Sequence, residues 1–367
     1  MLIGIDGNEA NVKNRVGVNQ YAYHLLVNLN RLDSKNHYTI YLKKSPLPDL
    51  PTPSPNWQYQ VFGPEKFWTR FALPLHLFFG PKPSLFFSLS HYSPSFSPCP
   101  TIPTIHDLGY LQSPKQFTKK DFYQLTHWTQ SSLKKASRVI AVSEFTKSEL
   151  QKIYHLDPEN ISVAYNGVDN PPVISSSTST ATLLKFGIKN SNFFLYLGTL
   201  KPNKNLPFLI QAYSQFRQST KESIPLVIAG KKGWLFDSIF QLITSLKLQD
   251  SIIFTDFISE TEKWILLKNA TCLLLPSLYE GFGIPAIEAQ KIGTPVIASN
   301  IPPLQEILKQ SAILIDPLTQ SELTDALVKI QSASIRQKLS ETGLKNAQKY
   351  TWENTALSVI KVFNDFG

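Results

Sequence analysis

The stretch CLLLPSLYEGFGIPAIEA, residues 272–289, decides the fold. Cys272 to Leu275 form a short, wholly apolar run of the kind that makes a buried parallel strand. Pro276 ends it, and Gly281 and Gly283 then mark a tight turn. Pro285 stands near the first position of a helix, where its missing N–H costs nothing. Strand, glycine turn and helix start together form a site where backbone approaches a ligand closely and N–H groups favour an anion. Glu280 lies before that helix and Glu288 one turn inside it. A lone Glu at such a place is ordinarily a solvated side chain or a helix-start charge. Two glutamates bracketing G-F-G-I-P are harder to explain so, and function is the better reading.

A partner segment lies upstream. Gly198-Thr199-Leu200-Lys201-Pro202-Asn203-Lys204-Asn205-Leu206 follows an apolar run at Phe193–Leu197 and precedes a helical pattern. Lys204, near that helix start, would face a bound diphosphate as a point charge. Most lysines are merely solvated; the glutamate loop makes a binding role the stronger reading here.

Further out, buried strands and helical stretches alternate along the chain. Strands are expected at Leu2–Asp6, Tyr38–Leu42, Leu85–Ser88, Ile102–Ile105, Arg138–Val142 and Ile161–Tyr165. A second series is expected at Phe193–Leu197, Leu226–Ala229, Ile252–Phe254, Cys272–Leu275, Val296–Ala298 and Ile313–Ile315. Such alternation implies doubly wound parallel sheets. Residues 45–55, with five prolines, should be irregular surface. The run SSSTST at 175–180 is the linker candidate. The expected organisation is therefore 1–180, 181–350 and a C-terminal helix over 351–367 that packs back on the first domain. Residues 67–90 are unusually aromatic but interrupted by Arg70, His76, Lys82 and three prolines. A core helix followed by a buried strand is expected there, with a membrane-contacting flap as the sharper alternative.

The chain of 367 residues is 42% hydrophobic and 17% charged, enough for packed cores and far from disorder. Cys99 and Cys272 are too far apart in sequence to suggest a disulfide framework or a metal knuckle. MLIGIDG carries neither a basic nor an apolar signal region, so the expected location is the cytoplasm. The formal charge is +9; residues 1–185 carry net +6 and residues 186–367 net +3. Such an excess suits nucleic acid, an anionic membrane or a phosphorylated substrate, and charge alone does not choose.

Together these segments resemble the family 4 glycosyltransferases, retaining sugar-nucleotide enzymes of the GT-B fold. The resemblance runs through IGIDGNEANVKNRVGVNQYAYHLL, TIHDLGYL, VSEFTKSEL, AYNGVD, YLGTLKPNKNL, VIAGKKGW, the E-x7-E block, GTPVIASN and ILIDP. It is nearest in flavour to bacterial mannosyl- and glucosyltransferases of polysaccharide and O-antigen assembly. The implied fold is two Rossmann-like domains facing a cleft, acceptor domain first and donor domain second. Glu288 then corresponds to the carboxylate that takes the nucleotide ribose, and Glu280 to the contact with donor-sugar hydroxyls. Backbone N–H groups at Phe282, Gly283 and Ile284 would assist. Lys204 corresponds to the lysine that stabilises the leaving diphosphate, and Gly17 to a glycine facing the same phosphates. His106 corresponds to a histidine near the donor sugar. Ile258, within Asp256-Phe257-Ile258-Ser259, belongs to the loop that packs on the nucleobase.

One departure stands out. Family members usually carry an Arg beside or shortly before the phosphate lysine, and here Thr199 and Asn203 hold those places. Lys201 is the candidate substitute. The resemblance implies hexose transfer from a GDP- or UDP-linked sugar to a glycan or lipid-linked acceptor, without metal or other cofactor. Peripheral contact with an anionic membrane at its inner face is expected, and nucleic acid is not. No carboxylate declares itself as a nucleophile, so same-face attack with the leaving phosphate taking the proton is the expected course. The rivals are a sugar-nucleotide epimerase on the same fold and a catalytically weak carbohydrate- or nucleotide-binding protein. A dinucleotide-dependent dehydrogenase is disfavoured, since no G-x-G-x-x-G follows either opening strand.

Overall fold

A computed structural model of the chain describes every residue except 113, 115–117, 190, 221 and 232–236. The chain divides into two compact units, residues 1–167 with 350–367, and residues 168–349.

The first unit holds strands β1 (Leu2–Asp6), β2 (His37–Leu42), β3 (Trp57–Val61), β4 (Leu85–Ser88), β5 (Thr101–Ile105), β6 (Val139–Ala141) and β7 (Ile161–Val163). They form one parallel sheet in the order β3-β2-β1-β4-β5-β6-β7. β4 and β5 are buried along their whole length, as strands covered on both faces must be. The helix Val18–Leu32 lays Tyr21, Ala22, Leu25, Leu26 and Leu29 into the core, the stripe its 3.6-residue period dictates. The C-terminal helix Trp352–Asn364 belongs to this unit; it packs on that first helix, Trp352 stacking on His24, and buries Ala356, Val359 and Phe363 in the same core. Each such fully buried large apolar side chain contributes about 1.5–3 kcal/mol.

The second unit holds β8 (Phe194–Leu197), β9 (Leu226–Ala229), β10 (Ile252–Asp256), β11 (Cys272–Leu275), β12 (Val296–Ser299) and β13 (Ile313–Ile315). Their order is β10-β9-β8-β11-β12-β13, all parallel. The order runs one way from β8 and the other way from β11, so the sheet's topological switch point lies between these two strands.

Four features differ from the sequence reading. The linker candidate is helical: Ser176–Lys185 forms a helix whose Ser175 side chain accepts from the Thr178 N–H at 3.1 Å. Serine and threonine favour caps over helix interiors, which disguises such a helix as a linker, but Leu183 is buried and anchors it. The division between the units falls earlier, at Gly167–Val168. β3 was not anticipated, because an edge strand with one deeply buried residue, Trp57, carries little apolar pattern. Finally, the segment expected as a core helix, Trp68–Phe79, buries only Trp68, Leu73, Pro74 and Leu77.

Candidate functional site

Open parallel sheets bind ligands outside the carboxyl ends of their strands where the strand order reverses. In the second unit two loops meet there. The chain leaves β8 through Gly198–Leu200, makes a 3-10 turn at Pro202–Lys204 and enters the helix Leu206–Thr220. Asn205 joins turn to helix in the left-handed conformation, φ 57°, and its side-chain amide donates to the Pro317 carbonyl at 2.9 Å. The chain leaves β11 through Pro276–Phe282 and enters the helix Ile284–Lys291 at Gly283, φ 99°. A Cβ on Gly283 would meet the Leu304 side-chain tip, Cδ2, at 2.5 Å, and the positive φ is what selects glycine.

The two loops are bonded to each other. The Leu278 N–H donates to the Asn203 carbonyl at 2.8 Å. Lys204 Nζ donates to Glu280 Oε1 at 2.6 Å, and Ser277 Oγ donates to the same oxygen at 2.7 Å. Both charged side chains keep a solvent-facing edge, 19% and 11% exposed. Beneath them the Tyr196 phenol is pushed far above its ordinary range, first by burial and then by the Glu280 charge. A fixed ammonium beside a helix start attracts phosphate oxygens, and a carboxylate held against it accepts hydroxyl protons. Thr199 is exposed, and its carbonyl accepts from the Tyr196 hydroxyl at 3.3 Å. Asn203 Oδ1 is buried without a partner.

A second pair lies along the same helix. Glu288 Oε1 accepts from Lys263 Nζ at 2.6 Å, and Lys263 also reaches Glu260 Oε2 at 2.6 Å. Burial raises the Glu288 carboxyl above its usual range, with Lys263 pulling against it. Burial alone would depress the Lys263 ammonium; the charges of Glu288 and Glu260 outweigh that and hold it above the usual lysine range. Lys263 sits on the helix Glu260–Asn269, which starts at a capping box of Ser259 and Glu262. Ile258, just before the cap, is partly buried, and Phe257 is exposed.

Phe282 is buried, and Ile284 opens the glutamate-bearing helix. The first N–H groups of a helix lack intrahelical partners, which suits the expected role of this turn. Lys232, Gly233 and Trp234 of VIAGKKGW lie outside the described residues. In the first unit Gly17 caps the helix Val18–Leu32 at φ 53°, and a Cβ there would meet nothing within 4 Å. Its conformation, not crowding, selects glycine. His106 follows β5; its Nε2 bonds the Leu89 carbonyl at 3.0 Å and its ring meets Tyr21 edge-on at 4.7 Å. Burial holds its imidazole below the ordinary range.

The structure thus brings Lys204 and Glu280 together and sets Glu288 on the adjoining helix. Sequence reasoning missed Lys263 and Ser277. Ser277, three residues from Glu280, was within reach of local reading; Lys263 was not, being 25 residues from Glu288 on another element. A cavity of about 610 Å³ lined by Asn192, Thr271, Gly293 and Arg336 lies at the opposite, amino end of this sheet.

Comparison with known proteins adds to this geometry. Residues 16–170 match the family described as Glycosyltransferase Family 4. Residues 184–349 match Glycosyl transferases group 1. The chain is 26% identical over 264 residues to O-antigen chain mannosyltransferase B of Escherichia coli, covering 71% of this chain and 69% of that one. It is 31% identical over 228 residues to O-antigen chain mannosyltransferase RfbU of Salmonella typhimurium, covering 62% of this chain and 60% of that one. Among solved structures, sucrose-phosphate synthase of Thermosynechococcus elongatus shares the fold with a TM-score of 0.76 at 19% identity, over 99% of this chain and 98% of that one.

Proposed function

From the premise that this chain belongs to the family 4 glycosyltransferases of the GT-B fold, we propose that it transfers a hexose of the mannose or glucose type. The donor is a GDP- or UDP-linked sugar and the acceptor a glycan or lipid-linked glycan. The observation that carries this reading is the Lys204–Glu280 pair at the switch point between β8 and β11, with Glu288 on the helix that follows.

In this reading the donor diphosphate displaces Glu280 from part of the Lys204 ammonium. Lys204 then meets the charge that develops on the β-phosphate oxygen, supported by the N–H groups around Phe282, Gly283 and Ile284. Glu280 orients the sugar hydroxyls, and Ser277 holds the carboxylate in place. Glu288 accepts from the ribose hydroxyls, and Ile258 packs near the base. Thr199 lines the exposed edge of the same turn. Gly17 and His106 are the residues of the first unit to which the family resemblance gives a part in donor binding. The acceptor hydroxyl attacks the anomeric carbon from the face the phosphate leaves. Its proton passes to the departing phosphate oxygen, so configuration is retained. Cationic side chains and helix N–H groups supply the stabilising charge, and the transfer runs without metal.

The basic first unit meets a lipid-linked acceptor at the inner face of an anionic membrane. No helix among the described residues is long and apolar enough to cross one. The test is a thermal-shift panel of UDP-, GDP- and ADP-sugars followed by product analysis with and without acceptor. A donor-dependent rise in Tm and nucleoside diphosphate release tied to acceptor glycosylation support the reading. Turnover of donor to an isomeric sugar nucleotide in acceptor-free buffer contradicts it and favours an epimerase.

A further inference from the structure

The segment Phe67–Phe79 carries large apolar side chains on its outer side as well as its inner one, with Arg70 its one exposed charge. Trp68, Leu73 and Leu77 pack inward against Tyr41 and Phe86. On the other side Phe67, Phe71, Leu75, Phe78 and Phe79 point to solvent, with Phe67 69%, Phe71 60% and Phe79 87% exposed. Their spacing of three and four residues puts them on one face, and exposed Phe96 joins it, its ring 5.7 Å from that of Phe78. A contiguous apolar face left open to solvent ordinarily marks a protein or membrane interaction site. The entry to this helix is also unusual: Phe67 takes a left-handed φ of 57°, and the first turn is π-helical. Strain of that kind in a bulky residue persists where it serves a purpose.

The rim is cationic. Lys66, Arg70 and Lys82 are exposed around the patch, and Lys135 donates to the Ser95 carbonyl beside Phe96. Residues 66–106 contain no Asp or Glu, and Glu65 at the edge is paired with Lys44 at 3.0 Å. A second copy docked here about a two-fold axis would bring these cations against their own kind. Anionic headgroups meet both features at once, aromatic rings entering the headgroup–acyl boundary and the cations remaining among phosphates.

We propose that the Phe67–Phe79 face, with Phe96, is a docking surface for an anionic lipid bilayer. It deepens the lipid-linked acceptor reading, on which it rests, by naming the face that meets the membrane. The test is co-sedimentation of the full chain with phosphatidylglycerol–phosphatidylcholine vesicles and with pure phosphatidylcholine vesicles. Donor-induced thermal shifts and solution mass are measured on the same samples. The wild type should prefer the anionic vesicles and release as salt rises. Phe71→Ser with Phe79→Ser should weaken vesicle binding about tenfold or more while leaving the donor shift intact. Lys66→Gln with Lys82→Gln should weaken it on the order of tenfold. Three results overturn the proposal: no vesicle binding by a chain that still responds to donor, binding indifferent to the serine substitutions, or a wild-type dimer that those substitutions dissociate. Vesicle binding by a chain that responds to no donor would support the surface and count only against the transferase reading.

Discussion

Lys263 Nζ lies 2.6 Å from Glu288 Oε1 and holds it from a different helix. The lysine side chain is 13% exposed and the glutamate 10%. A carboxylate so enclosed depends on this one neighbouring ammonium for its charge. On the proposed reading, in which Glu288 takes the ribose, Lys263 is a positioning residue for the donor nucleoside. Lys263→Leu should raise the donor KM far more than it lowers kcat, and that KM should improve as pH rises and Glu288 ionises. Lys263→Arg should restore most of the affinity. A steady-state pH series on the three proteins checks this.

The same substitution has a stability signature. Burial raises the Glu288 carboxyl, so the folded state holds its proton to higher pH than the unfolded chain. Its effect is absent below the unfolded value of about 4.3, and stability is lost as pH rises through the raised folded value. Removing Lys263 should move that loss upward and deepen it, by as much as about 3 kcal/mol where Glu288 is forced to ionise. Denaturant melts of Lys263→Leu at pH 5 and pH 8 should differ more than those of the wild type.

Two neighbouring histidines are buried in the first unit, and their protonation should weaken it in acid. His91 Nε2 accepts the His106 N–H at 3.2 Å, and its Nδ1 is buried without a partner. Burial, then His106, pushes the His91 imidazole down to about 3. The unfolded chain binds protons that the folded chain refuses, so stability is full above about 6.5 and falls as pH drops toward about 3. His91→Gln, which keeps an acceptor for the His106 N–H, should flatten that decline. Thermal melts between pH 7 and pH 4 report it.

Gly167 passes against the C-terminal helix so closely that a Cβ would lie 2.2 Å from the Trp352 backbone nitrogen. Gly167→Ala should cost about 1–3 kcal/mol or more by overpacking, because backbone cannot step aside as a side-chain tip can. Gly17→Ala, where only the positive φ opposes alanine, should cost nearer 1 kcal/mol. Paired urea melts test the ranking.

The parallel sheets were legible because fully buried strands such as Leu226–Ala229 and Cys272–Leu275 are apolar at every position. The candidate site was legible as a grouping where its residues share a strand-to-helix junction, as Glu280, Gly283 and Glu288 do. What escaped depends on contacts that local pattern does not carry. Lys263 reads as a surface lysine until folding sets it against Glu288. Ser175–Lys185 reads as a linker until its cap and Leu183 are placed. His106 gave no sign that its Nε2 would be engaged by the Leu89 carbonyl.

The central claim is that Lys204 receives the donor's terminal phosphate beside Glu280. Calorimetric titration of a nucleoside diphosphate and its monophosphate into wild type and Lys204→Ala tests it most directly. The wild type should prefer the diphosphate by about 1.5–3 kcal/mol, the worth of a hydrogen bond to a charged group, and the variant should lose that preference while keeping its fold. An undiminished preference for the diphosphate in Lys204→Ala would contradict the account.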